Sequence, residues 1–119
     1  MNISVVSVPV ADQDQAKRFY TDQLGFAVLL DAEFGDGLRW IQLAPPGAQT
    51  GIALVTWFAD MKPGSLRGLV LQVDDIERSY DELQRRGVSF AGGIDAQVGG
   101  LFAYFSDPDG NGWMLNQQR

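Results

Sequence analysis

The side chains of this sequence able to move a proton are aspartate, glutamate, lysine and tyrosine, because it contains no histidine and no cysteine. General acid–base chemistry would fall to those groups. Thiolate nucleophiles, thiolate metal sites and disulfides are excluded. Asp31 and Glu33, read as lying near a loop, are the best acids on offer. Asp12 and Asp75 precede helix-like stripes and read as N-caps. Asp109 and Asn111 belong to the run Asp107-Pro108-Asp109-Gly110-Asn111, and turn chemistry accounts for them. The pattern names no catalytic residue; Tyr104 is the hydroxyl to consider. Trp40, Trp57, Phe58, Phe102, Tyr104 and Trp113 offer flat surfaces for stacking a planar molecule. Arg39, beside Trp40, could pair with a carboxylate or phosphate.

The elements that must position these groups repeat once. Asp12 follows the strand-like run Val5–Val10, and Asp75 follows Gly68–Val73, 63 residues later. The same shift carries Pro45-Pro46-Gly47 onto Pro108-Asp109-Gly110. A fixed-period match of this kind indicates a duplicated unit. Residues 3–10 alternate as a strand does. Ala16, Phe19, Tyr20 and Leu24 then form a helical stripe that Gly25 ends. Strands are predicted over 26–30, 38–43 and 51–57. The second half opens with a strand over 69–73. Asp74 or Asp75 caps a helix striped by Ile76, Tyr80 and Leu83, with Arg85 and Arg86 suited to the negative end of its dipole. Strands over 88–90, 101–105 and 112–116 follow. Residues 91–100 read either as a mobile loop or as an ordinary long hairpin connection. Each half is β-α-β-β-β, joined through Thr56–Leu66. The domain expectation is one unit over 1–119, with module one at about 1–57, a linker at about 58–66 and module two at about 67–119.

A chain of 119 residues, 45% hydrophobic, can build a real core and suits one domain. Nine basic against fifteen acidic residues give −6, which disfavours nucleic acid or an anionic membrane as partner and suits a cationic ligand. No signal-like or membrane-length apolar segment is evident. With the absence of cysteine, this fits a cytoplasmic protein.

Val8-Pro9-Val10-Ala11-Asp12, Phe19-Tyr20-Thr21-Asp22-Gln23-Leu24-Gly25-Phe26, Val73-Asp74-Asp75 and Phe105 through Asn111 together resemble the vicinal oxygen chelate superfamily. That group includes glyoxalase I, extradiol dioxygenases, fosfomycin-resistance transferases and bleomycin-resistance proteins. The resemblance covers the whole chain. It implies an α+β fold of two tandem βαβββ modules forming a curled, cup-like mixed sheet with helices outside. Metal-using relatives take ligands from the first and last strands of each module. Those positions here hold Val5, Gly68, Met114 and either Gly51 or, if the first turn is longer, Ala53. None supplies imidazole, thiolate or carboxylate, so no metal or other cofactor is expected.

If Val6, Val8 and Val10 face the helices, alternation turns Val5, Ser7 and Pro9 to the cup. The repeat adds Gly68, Val70 and Gln72, and Met114 and Asn116 should share that side. The expected ligand-binding set is Val5, Ser7, Arg39, Trp40, Trp57, Gly68, Gln72, Phe102, Tyr104, Met114 and Asn116. The leading reading is a metal-free protein, akin to the bleomycin-resistance class, that sequesters a planar or cationic small molecule and pairs with itself as a homodimer. The alternative is a metal-independent isomerase, lyase or natural-product tailoring enzyme using the same cup. A third reading is a purely structural dimerisation domain.

Overall fold

A computed structural model describes all residues, Met1–Arg119. In the first module β1 (Val5–Pro9) leads to α1 (Gln13–Arg18), which runs into a π-helical turn over Phe19–Gln23. β2 (Ala27–Phe34), β3 (Leu38–Ala44) and β4 (Gly51–Val55) follow. The second module repeats this with β5 (Leu69–Gln72), α2 (Ile76–Arg85), β6 (Asp95–Gln97), β7 (Gly100–Ser106) and β8 (Gly112–Gln117). The two helices start where the sequence places their caps. The Asp12 carboxylate accepts from the Gln15 amide at 3.1 Å, and Asp75 accepts from Arg78 at 3.1 Å. Asp75, not Asp74, is therefore the second cap.

The strands form two separate four-stranded sheets, ordered β1-β4-β3-β2 and β5-β8-β7-β6. In each, the first and last strands of the module pair in parallel and the other pairs are antiparallel. This is the expected α+β pair of tandem modules, and the sheets do not close into a barrel. One strand differs from the sequence reading. Val88–Phe90 is not a strand; only Phe90 bridges to Phe105, and the edge strand forms later at Asp95–Gln97. By the 63-residue repeat the counterpart of β2 is 90–97. Gly92-Gly93, costly to order in a strand, interrupts it. Tyr80 stacks on Phe90 with ring centroids 4.3 Å apart and donates its hydroxyl to the Gly92 carbonyl. The 91–100 stretch is thus an irregular edge continuing into a β6–β7 hairpin.

The modules meet through their core sides. Val8, Ile41, Leu43 and Leu54 from the first sheet join Ala16, Phe19 and Tyr20 from its helix, and Ala103, Trp113 and Leu115 from the second sheet, in one buried cluster. The Tyr20 ring lies 5.7 Å from Trp113, and Phe26 lies 6.0 Å from it. A buried polar network completes the contact. Asp107 accepts from the Tyr20 hydroxyl at 2.7 Å and from the Asn111 amide at 2.8 Å, while its other oxygen accepts three backbone amides of its own turn. Trp113 donates to the Tyr20 oxygen at 2.9 Å. Asn111 also donates to the Pro9 carbonyl and accepts from the Leu66 amide, so one side chain ties β1, the linker and β8. Burial, and next the Asp107 charge, push the Tyr20 hydroxyl well above its ordinary pKa. It remains protonated and serves as a donor. The linker passes so close to this turn that a Cβ at Gly64, where φ is +80°, would strike the Asp109 carbonyl.

Candidate functional site

With both core sides turned inward, the other side of each sheet is open. On the first sheet, register puts Leu30 opposite Gln42, Ala32 opposite Trp40 and Phe34 opposite Leu38. Ser7 and Gln42 both pair with Ala53. Side chains on this face therefore include Val5, Ser7, Trp40 and Phe34. Four aromatic rings gather at its end. Trp57 lies 5.1 Å from Phe34, 5.9 Å from Trp40 in a stacked geometry and 6.0 Å from Phe58. Phe34 is 40% exposed and Phe58 45%, so the cluster is an accessible wall and not core. Trp40 donates its indole N–H to Gln42 at 3.1 Å, which fixes its plane.

On the second sheet, Val70, Met114 and Tyr104 form one cross-strand row, and Gln72, Asn116 and Phe102 form the next. Gly68 immediately precedes β5. The Tyr104 hydroxyl accepts from the Gln97 amide at 3.0 Å. Asn116 is buried and donates to the Gly99 and Leu101 carbonyls, so it holds the β6–β7 hairpin. A cavity of about 480 Å³ at one end of this face is lined by Gly68, Tyr104 and Met114 together with Arg67, Ser89 and Ser106. A larger cavity, about 810 Å³, lies between the modules and touches Gly68 and Gln72. Its walls are core-side residues such as Val6, Leu69, Leu71 and Leu115. The charged pair at its rim, Glu82 and Arg86, is internally matched at 2.6 Å. It presents no unmatched charge to orient a ligand.

The candidate residues thus fall into two groups on separate faces, and Arg39 belongs to neither. Neighbours on a strand point opposite ways, so Arg39 lies on the helix side, opposite to Trp40. It grips Asp31 through two nitrogens at 2.8 Å each and Asp14 at 2.7 Å. Lys17 adds a bond to Asp31 at 2.7 Å. Asp31 and Glu33 are β2 residues, just before the turn at 35–37. The Arg39 and Lys17 hydrogen bonds hold the Asp31 carboxyl far below its usual range. This stabilises the fold above the ordinary carboxylate pKa and is lost as pH falls toward the depressed value. Urea midpoints of wild type should therefore drop between pH 5 and pH 2.5 by more than those of Asp31→Asn. Parallel pH curves would show that the pair contributes nothing.

Trp113 is core, 4% exposed, and reaches only the edges of the two cavities. Sequence reading missed Phe34, which falls between the strands predicted over 26–30 and 38–43; the alternation Leu30-Ala32-Phe34 was its signal. It also missed Arg67, Ser89 and Ser106, which are not adjacent in sequence.

Residues 2–115 match the model of the glyoxalase/bleomycin resistance protein/dioxygenase superfamily. The chain belongs to this superfamily. Among its members, the uncharacterized protein YetH of Bacillus subtilis strain 168 is 35% identical over 118 residues, covering 97% of each chain. The antibiotic binding protein TnmS3 from Streptomyces sp. CB03234 is 47% identical, with TM-score 0.94 over 100% of this chain and 97% of its own. A glyoxalase/bleomycin resistance protein from the same Streptomyces is 48% identical, with TM-score 0.86 over 98% and 100%.

The superfamily's metal positions can be located by register. Ser7 pairs with Ala53, and its repeat partner Val70 pairs with Met114, so Ala53 and not Gly51 is the counterpart of Met114. Val5, Gly68, Ala53 and Met114 offer one thioether and no oxygen or nitrogen side-chain donor. This donor set does not fit the divalent ion of the metal-using members. No group of three or more His, Cys, Asp or Glu is placed to hold a metal ion, and no helix is long and apolar enough to cross a membrane.

Proposed function

We propose that this chain binds a planar aromatic small molecule and holds it unaltered, in a cup made from the first open face of one copy and the second open face of another. The Phe34–Trp40–Trp57–Phe58 wall carries this reading. Four rings within 5.1–6.0 Å of their neighbours, left accessible at the end of a sheet, suit a flat ligand. The strands of both faces carry one carboxylate, Asp95, and Tyr104 has only the Gln97 amide as partner. No acid–base pair is assembled there, which favours binding over an isomerase or lyase. The 47% identity to an antibiotic binding protein supports a natural product as the ligand.

The packing supports pairing. The core sides of both sheets are already in contact within the chain, so neither open face has a lid of its own. Leu30 is 48% exposed, Val70 52% and Leu29 56%, an apolar surface typical of an interface. A two-fold pairing covers both faces at once.

Native mass spectrometry of the untagged protein tests both parts. The expected result is twice the chain mass, with addition of 9-anthracenemethanol giving stoichiometric adducts of the dimer. A monomer at ten micromolar would overturn the shared cup. A dimer that takes up no flat compound would favour the purely structural reading.

A further inference from the structure

The cavity at the end of the second open face has a charge that the overall balance of −6 does not suggest. Arg67 is the charged residue of its lining. The side chain is held in place by one nitrogen: Nη1 donates to the carbonyls of Gly64 at 2.6 Å, Leu66 at 2.9 Å and Gly110 at 2.9 Å. It lies across Gly112, where a Cβ would come within 2.8 Å of its Cδ. Nε and Nη2 donate to nothing within the chain, and no carboxylate pairs with it. A guanidinium keeps three N–H donors on those two nitrogens, in a fork that fits an oxyanion. Ser89 and Ser106 line the same cavity, are exposed, and make no side-chain hydrogen bond within the chain.

We propose that Arg67, Ser89 and Ser106 form an oxyanion subsite, and that the ligand carries an acidic oxygen group such as a carboxylate beside its flat ring system. The ligand's identity rests on the binding function proposed above; the subsite itself does not. Asp95, the carboxylate of the open faces, sits opposite Phe102 on the far edge strand. That is five residues along and three strands across from Arg67, roughly 20 Å. At physiological salt, with a screening length of about 8 Å, it neither neutralises Arg67 nor repels a group bound there. The same screening limits the effect of the acidic outer surface.

Three anthracenes with one ring system separate the parts: 9-anthracenecarboxylate, 9-anthracenemethanol and 9-(aminomethyl)anthracene, titrated by fluorescence. The wild type should bind the carboxylate about tenfold more tightly than the alcohol, and the amine most weakly. Arg67→Gln should remove the carboxylate's advantage and leave the alcohol unchanged. Ser89→Ala with Ser106→Ala, which touches none of the Arg67 anchors, should cost the carboxylate alone about threefold. Equal losses for all three probes, or an unchanged carboxylate preference, would overturn the subsite. If no anthracene binds the wild type, the aromatic wall has failed. Benzoate then tests the subsite by itself, through the NMR signal of the Arg67 Nε–H. Saturable movement with benzoate but not benzylammonium sustains it, and no movement ends it.

Discussion

Replacing Asp107 by alanine is expected to destabilise the chain by about 3–5 kcal/mol, read as a fall in urea midpoint with unchanged slope. The Asp107 carboxylate is 5% exposed and accepts five hydrogen bonds, from Tyr20, Asn111 and three turn amides. Its loss strands the Tyr20 hydroxyl inside the core with no acceptor, and unmakes the turn that positions Asn111. Each buried polar group left unpaired costs about 1–3 kcal/mol. Against a total stability of about 5–15 kcal/mol this is a large fraction. Tyr20→Phe should cost less, about 1–3 kcal/mol, because Asp107 keeps Asn111 while the Trp113 N–H loses its acceptor. A loss under about 1 kcal/mol for Asp107→Ala would mean that apolar packing around Trp113 alone joins the modules.

That network also shows what could be read from the sequence. The Asp-Pro-Asp-Gly-Asn run and the Phe19-Tyr20 pair were legible as motifs, and local chemistry explained the first as a turn. Nothing local says that Tyr20 and Asp107, 87 residues apart, are bonded to each other. The two aspartate caps were legible because a cap acts over three residues, and the repeat because one 63-residue shift carries several motifs onto each other. The second module's edge strand was not, because Val88–Phe90 has strand composition but Phe90 is drawn onto Tyr80 and the glycines break the run. Arg39 was misplaced although period-two alternation assigns it to the opposite face from Trp40. Adjacency in sequence does not outweigh the pleat. Arg67 could not be found at all, since its meaning lies in the Gly110 carbonyl and in Gly112, which the fold brings beneath it from a distant part of the sequence.

Trp57→Ala is expected to weaken binding of 9-anthracenemethanol by about 30- to 100-fold, while the protein remains folded. Trp57 is the centre of the wall: its ring neighbours Phe34, Trp40 and Phe58, and Trp40 stacks on it with planes 30° apart. Removing it takes away one stacking surface and the ring that flanks Phe34 and Phe58, while Trp40 keeps its bond to Gln42. Stacking of a flat ring on an aromatic side chain is worth about 1–3 kcal/mol, and 1.4 kcal/mol is tenfold in affinity. Trp40→Ala should cost less, about tenfold, because Phe34 and Phe58 still flank Trp57. Trp57→Phe keeps a flat ring in place and should recover most of the affinity. Trp57 is half-buried and bonded to no polar group in the core, so its loss should move the urea midpoint far less than Asp107→Ala does. Trp113→Phe supplies the opposite control: it strips the donor to Tyr20 and thins the core, lowering stability with little effect on affinity. The two variants therefore separate the tryptophan that builds the fold from the one that meets the ligand. If Trp57→Ala binds the anthracene as the wild type does, the aromatic wall is a dimer contact and not a ligand surface.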